Sequence, residues 1–538
     1  MKKTLTILNA ILLLFFMNNS LAQSLFKDLI PGPHPASSTP DDFMNVGNTM
    51  YFVTAVSSTG SSLYNNQLWK SDGTVAGTVL LKDSLSVTNI AHPVKLRANA
   101  NGILYFTVID NPGCSVCAPE LWKSDGTVAG TVMITTLDYT SYWGGGTGSE
   151  PTSFVASGNK LYFVFNNTDN DYELWTSDGT ANGTFEIINL CESCSGVDPE
   201  TPIFSYHEKV YFSGTTTSYD NYELFVSDGT SGGTGIVKEI NPENQFGMNF
   251  GSESNNWYIF NDHIFFTATD GTNFGIWKTD GTEVGTVLVK APIDGFTLPI
   301  IFKNKLYFGN GNTALWKTDG TEAGTELVKE NIGNIRGANN DFLFTHNMTT
   351  LTSPPYYADF TWKSDGTTAG TTEVSNHIGM SASRSVIGNN MYITRLDSAG
   401  STNIGVWVTD GTDSGTSKLL EGYGTGYVHI FNNNAFFTNY ETATGYELWS
   451  ISGSGTNNLT ENNKNELILY PNPTNGVVYL KSSSLKNTKI SITNISGKLL
   501  LEKEEVTEID LSTFVDGVYF VNVLNDGINY THKIIVQK

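Results

Sequence analysis

Residues 69–78 read Trp69-Lys70-Ser71-Asp72-Gly73-Thr74-Val75-Ala76-Gly77-Thr78, and the pattern of a hydroxyl residue, Asp-Gly-Thr and a second Gly-Thr returns along the chain. Its aspartates are Asp72, Asp125, Asp178, Asp228, Asp280, Asp319, Asp365 and Asp410, spaced by 53, 53, 50, 52, 39, 46 and 45 residues. Units of this length bury their apolar faces only against one another, so the repeat predicts a ring or an array. Each Asp-Gly pair has a mechanical reading. Gly accepts a positive φ, and the Asp side chain can hold the backbone two residues on. The eight aspartates are therefore read as structural turn residues. A row of Ca²⁺ sites is the weaker alternative, because Ca²⁺ takes about six to eight oxygens and each turn offers one carboxylate.

Working outward from Gly77, Thr78–Lys82 reads as a short strand and Val94–Ala98 as a second. Asn101-Gly102 is a hairpin signal, and Ile103–Ile109 is a β-branched and aromatic strand. Glu120–Lys123 closes the unit before the next turn, giving four strands and no helix. The aromatic strand recurs nine times, from Tyr51-Phe52 to Phe436-Phe437, although the turn recurs eight times. The ninth unit runs to Glu447-Leu448-Trp449 and then loses its turn, while Leu25–Ile30 resembles the strand that elsewhere follows Gly-Thr. An N-terminal strand that completes the ninth sheet would close a ring without an open edge. The expected fold is all-β: a closed β-propeller of about nine four-stranded blades, with eight as the alternative.

The chain of 538 residues has a formal charge of −23. Residues 1–22 carry +2, residues 466–538 carry −1 and residues 23–465 hold the remaining −24. A phosphate-binding basic face is not expected on such a chain, so nucleic acid is excluded as a partner. Lys2 and Lys3, the apolar run Ile7–Met17 and Ser20-Leu21-Ala22 form an export signal, with cleavage expected between Ala22 and Gln23. No transmembrane segment is expected after its removal. The domain reading is thus 1–22 signal peptide, 23–456 repeat propeller, 457–465 polar linker and 466–538 C-terminal domain.

Cys114, Cys117, Cys191 and Cys194 make two Cys-x-x-Cys pairs. Outside the cytoplasm the expectation is local disulfides, Cys114–Cys117 and Cys191–Cys194, with other connectivities and a four-thiolate zinc site left open.

The pattern Glu-Leu-Trp-x-x-Asp-Gly-Thr-x-x-Gly-Thr, matched throughout by Glu120–Thr131 and Glu173–Thr184, resembles the ELWxxDGT repeat family of secreted bacterial proteins. That resemblance implies a β-propeller-like fold and no particular reaction. Phe225 for Trp, Thr361 for Leu and the degraded ninth turn depart from it. Tyr470-Pro471-Asn472-Pro473, the Gly517-Val518-Tyr519 strand and the Lys533-Ile534-Ile535 ending resemble the type A C-terminal sorting domain of the type IX secretion system. This implies that the propeller is followed by a small C-terminal β-sandwich and that the protein is exported across the outer membrane of a gram-negative bacterium, with the type IX machinery as partner of residues 466–538. The protein would then be secreted or attached to the outer-membrane surface.

No catalytic motif is present: no Gly-x-Ser-x-Gly, no His-Glu-x-x-His, no phosphate loop and no metal-ligand spacing among the histidines. Features that break the repeat carry the functional expectation. Trp143 lies in the insertion Tyr142-Trp143-Gly144-Gly145-Gly146 and is a candidate for stacking on a glycan or peptide. Asp169 and Asp171 are weak Ca²⁺ candidates, and no other cofactor is expected. The reading is a secreted or cell-surface, non-enzymatic binding, adhesion or scaffold module for a glycan or protein ligand. The alternative is an extracellular polysaccharide hydrolase or lyase whose acids converge from several blades.

Overall fold

The computed structural model describes the chain from Gln23 to Val536 apart from connecting segments, the longer of which are 32–37, 58–62, 110–117, 138–149, 242–247, 249–256, 397–403, 421–427, 453–467 and 482–488. The signal residues 1–22, the linker 457–465, Cys114, Cys117, Trp143, Asp169 and Cys194 lie outside the described residues. Two compact units divide between Gly455 and Thr456.

The first unit is all-β and holds nine four-stranded antiparallel sheets. Sheet one consists of Pro40–Val46, Thr49–Ser57, Tyr64–Ser71 and Val79–Thr88. Sheets two to eight follow in chain order, spanning 94–136, 152–188, 204–238, 258–290, 297–330, 334–375 and 381–420. Sheet nine takes Val428–Phe431, Asn434–Glu441 and Gly445–Ser452 from the end of the unit and Gln23–Lys27 from its beginning. Gln23 pairs with Ile451 and Leu25 with Trp449. The N-terminal strand thus starts at Gln23 and ends at Lys27, two to three residues earlier than the Leu25–Ile30 expectation. Leu29 lies beyond the strand, where its N–H is held by a side chain instead.

The two-residue period of a strand explains the recurrent aromatic pair. Tyr51 and Val53 pack toward sheet two with Leu68, Val94 and Phe106, whereas Phe52 packs toward sheet nine with Leu29, Phe436 and Leu448. The second strand of each sheet serves two cores in this way, with one aromatic ring for each except in sheets seven and eight, where Leu343 and Met391 take one of the two places. Consecutive sheets are joined by such clusters all along the unit, and one further cluster joins sheet nine to sheet one. The first strands of neighbouring sheets also approach one another, for sheets one to four and six to nine.

The repeat tryptophan stacks on the Phe of its own sheet, as in Phe106–Trp122 at 5.9 Å and Phe163–Trp175 at 6.2 Å. Phe225, the departure from the pattern, keeps that contact with Phe212 at 5.6 Å. In sheet one the outer strand reaches Thr88, well past the expected Lys82, because Asp83 accepts hydrogen bonds from Asn65 and Gln67, both 2.9 Å. Among the described residues the sole helical turn is the three-residue 3₁₀ segment Ser231–Gly233.

The second unit contains a three-stranded sheet (Ile468–Tyr470, Val477–Lys481, Glu508–Asp510) and a four-stranded sheet (Leu499–Glu504, Lys489–Asn494, Gly517–Asn525, Ile528–Val536). Both contribute to one core that includes Val478, Ile492, Ile509, Val521 and Ile534.

Candidate binding surface

All eight Asp-Gly-Thr copies connect the third strand of a sheet to its fourth. In sheet two, Asp125 Oδ1 accepts from the Thr127 N–H (2.8 Å) and from the Thr127 hydroxyl (2.7 Å). Thr127 Oγ1 then accepts from the Gly130 N–H at 2.9 Å, and the Ser124 and Thr131 hydroxyls meet at 2.8 Å. The same set recurs around Asp72, Asp178, Asp228, Asp280, Asp319, Asp365 and Asp410. The threonine hydroxyl, and then the threonine amide, hold the Asp125 carboxyl below its ordinary range. A Cβ on Gly130 would collide with the Asp125 carboxylate, which is why the second glycine of the motif is fixed.

The first glycine has two constraints. Gly126 has φ +84°, and a Cβ there would lie 2.8 Å from the Tyr51 hydroxyl of the preceding sheet. Lys70 Nζ, also from the preceding sheet, donates to the Gly126 carbonyl at 2.6 Å. Tyr105 approaches Gly179, Tyr162 approaches Gly229, Tyr211 approaches Gly281 and Tyr307 approaches Gly366 in the same manner. At the last-to-first junction, Gly73 meets Phe431 and Asn432, and Asn432 Nδ2 donates to the Asp72 carbonyl at 3.1 Å.

These contacts put all the strand 3–4 turns at one end of the sheets, together with the strand 1–2 hairpins. Neighbouring hairpins touch there: Asn101 Nδ2 donates to Asn159 Oδ1 (2.7 Å), and the Tyr206 hydroxyl donates to the Asp262 carbonyl (2.7 Å). Burial and then the Asp262 carboxylate push the Tyr206 phenol up to about 12, and burial pushes His429, stacked on Phe43, down to about 4. Both stay neutral across the physiological range.

The remaining connections leave from the opposite end. The turn-end connection between strands three and four has seven residues in each of its eight copies (72–78 in sheet one), whereas those of the opposite end range from 169–170 to 239–257. The segments that hold Cys114 and Cys117 (109–119), Trp143 (137–151), Asp169 (169–170) and Cys191 with Cys194 (189–203) all belong to this loop end, on sheets two and three. Asp171 opens the third strand of sheet three. Cys191 is disulfide-bonded. Among the described residues no group of three or more His, Cys, Asp or Glu side chains could hold a metal ion.

Two sites were not anticipated from sequence. Glu447, the motif glutamate of sheet nine, is fully buried, and its Oε2 accepts from the Leu29 N–H (2.9 Å) and the Ser38 hydroxyl (2.7 Å). It therefore ties the N-terminal segment to the last strands, and burial raises its carboxyl to about 7. Glu223 holds the Ile240 and Asn241 amides of sheet four similarly, at 2.7 and 2.9 Å. The recurrence of Glu before Leu-Trp was the available signal. The second site runs across the first strands of sheets one to three. Asp42 accepts from the Leu96 N–H at 2.6 Å, burial raises its carboxyl, and Lys95 and Arg97 oppose that rise. Arg97 donates to Thr107 Oγ1 at 2.9 Å, pairs with Glu150 and lies over the Phe154 ring at 5.4 Å.

Residues 468–537 match the family described as secretion system C-terminal sorting domain. That domain marks the protein for export, to secretion or to attachment at the outer-membrane surface. No helix among the described residues is long and apolar enough to cross a membrane. No curated protein matches the chain. Among solved structures, the computationally designed Ika8 protein is similar at 13% identity, covering 66% of this chain and 94% of that one, with a TM-score of 0.37. The β-propeller domain of the Trilobed protease from Pyrococcus furiosus is similar at 14% identity, covering 63% and 97%, with a TM-score of 0.32. The acylaminoacyl peptidase of Pyrococcus horikoshii is similar at 12% identity, covering 69% and 57%, with a TM-score of 0.31.

Proposed function

We propose that residues 23–456 are a closed nine-bladed β-propeller serving as a non-enzymatic binding module, and that the C-terminal unit is a β-sandwich read by the type IX secretion machinery. The cyclic order of the apolar clusters carries this reading, since each sheet packs on the next and the ninth packs on the first. A ring of near-identical turns at one end supplies a rigid frame. The uneven connections at the other end, on sheets two and three above all, are where a glycan or protein ligand would be met. Local disulfides Cys114–Cys117 and Cys191–Cys194 would stiffen two of those connections, and Trp143 would offer a ring for stacking. A glycan and protein binding screen with the mature protein, with and without Ca²⁺, tests the reading. A ligand whose affinity falls in Trp143→Ala supports it; the absence of any ligand sinks it.

The second reading, a polysaccharide hydrolase or lyase, rests on Asp42 and Glu150, acids brought toward the first strands of sheets one to three. Both are engaged, Asp42 by the Leu96 amide and Glu150 by Arg97, which favours the binding module. Turnover of a polysaccharide that is lost in Asp42→Asn would reverse that preference.

A further inference from the structure

The motif glutamates of sheets four and nine occupy corresponding places and are answered differently. Glu223 is met on both oxygens: Oε1 accepts from the Asn241 amide at 2.9 Å and Oε2 from the Ile240 amide at 2.7 Å. In sheet nine the Leu29 amide and the Ser38 hydroxyl both go to Glu447 Oε2, and Oε1 is buried with no hydrogen-bond partner. Opposite Glu223 on the second strand is Gly214, whereas opposite Glu447 is Asn439. Asn439 is 4% exposed, and its Oδ1 is likewise buried without a partner. On the other side of Glu447, Lys27 pairs with Leu448, which brings Asp28 level with the glutamate. Asp28 Oδ1 is a third buried oxygen without a partner.

Directly opposed residues of antiparallel strands project to one face, so Asn439 and Glu447 lie side by side there. Asp28 completes the row at the seam between the N-terminal strand and the end of the unit. Its charge raises the Glu447 carboxyl beyond what burial does. No ion pair to either carboxylate is found among the described residues. Lys27, next to Asp28, donates instead to the Val75 and Thr78 carbonyls of sheet one. Buried carboxylates call for a counter-charge, and three acceptor oxygens cannot satisfy one another. The Trp449 indole N–H, also without a partner, can answer one of them at most, as Trp122 answers Glu120 at 2.8 Å in sheet two.

We propose that Asp28, Asn439 and Glu447 form a Ca²⁺ site at this seam, with Asp28 Oδ1, Asn439 Oδ1 and Glu447 Oε1 as protein ligands and water supplying the rest. Hard oxygen donors, two of them from carboxylates, are the set that Ca²⁺ takes. A proton on Glu447 and a bound ion are alternatives, and the raised carboxyl described above is that of the ion-free protein. Because the ligands come from both ends of the unit, binding the ion and seating the strand Gln23–Lys27 become one event. The ion would hold the seam whatever the loop end binds.

Titration calorimetry and hydrogen exchange on the mature protein, stripped with EDTA and then given CaCl₂, MgCl₂ or KCl, test this. Ca²⁺ should bind with a Kd of about 0.1–1 mM, the range of extracellular modules. At ten times that concentration, exchange in Gln23–Lys27 should slow about tenfold. Asp28→Asn and Asn439→Ala should each reduce the slowing to about twofold or less, while Glu322→Gln, on an exposed acid elsewhere, should keep it. Thermal melting checks that each variant folds. Asp28 is partly exposed and lies outside the strand, so its variant decides the matter should Asn439→Ala not fold. Slowing that survives in the Asp28 variant, or that spreads evenly over the nine sheets, overturns the site in favour of non-specific binding to an acidic protein. A response to Mg²⁺ or K⁺ with none to Ca²⁺ overturns the ion assignment, and no response to any of the three overturns the site itself.

Discussion

The two ends of the sheets are built under opposite constraints. At the turn end, each connection is tied internally by five or six hydrogen bonds of one pattern and externally by side chains of the preceding sheet, a tyrosine and a lysine together at Gly126, Gly179 and Gly366. No residue can be added there without breaking a contact to a neighbour. At the loop end the same strands are joined by connections of very different length, and the irregular features of the sequence collect there. A frame that is locked at one end tolerates variation at the other, which is the arrangement expected where a scaffold carries binding loops.

The comparison can be broken most severely at its closure. Deleting residues 23–30 removes the fourth strand of sheet nine and the contacts of Phe26 and Leu29. Denaturant unfolding should show a loss of about 5 kcal/mol or more, at roughly 1.5–3 kcal/mol per buried apolar side chain plus the strand pairing. A neutral deletion would remove the closed ring.

Within the turn end, Gly130→Ala forces the Asp125 carboxylate out of its bonds and should cost about 2 kcal/mol. Gly232→Ala, with nothing within 4 Å of its Cβ, should change stability by less than about 0.5 kcal/mol. Equal effects would show that the turn network is not what fixes the second glycine.

The pH dependence should differ in sign between the turns and the seam. The Glu447 carboxyl is raised from an ordinary 4.5 to about 7, so its contribution is fully present below 4.5 and is lost as pH climbs to 7. Hydrogen exchange in Gln23–Lys27 should accelerate over that window, and Glu447→Gln should abolish the dependence. Asp72 and Asp125 are lowered from 3.8, so their contribution is present above 3.8 and is lost on further acidification. Exchange at the Gly130 amide should therefore accelerate only in acid. Lys70→Met, which removes one inter-sheet bond to the Gly126 carbonyl, should cost about 1 kcal/mol in the same unfolding assay.

The turn end was legible in the sequence because local chemistry repeats: Asp125, Thr127 and Gly130 are held mainly by one another, so their spacing alone exposes their role. The aromatic doublets were legible as strands for a similar reason. Their division between two cores was less so, since it depends on which sheet lies on each side. Glu447 and Asp42 were hidden because their partners, Leu29 and Leu96, are backbone amides distant in sequence, and an amide leaves no trace in residue type.

The seating of Tyr51 over Gly126, repeated by Tyr105, Tyr162, Tyr211 and Tyr307 over later turn glycines, works as plug and socket with a fixed direction. Units one to seven each present such a ring to the turn of the next unit, with Phe265 and Phe344 in the tyrosine's place in units five and seven. What stops the count is the junction where Phe431 and Asn432 stand in for the plug and the strand Gln23–Lys27 meets Ser450 and Ile451. If the proposed ring closes, its size is thus set by the two ends of the unit that holds the nine sheets.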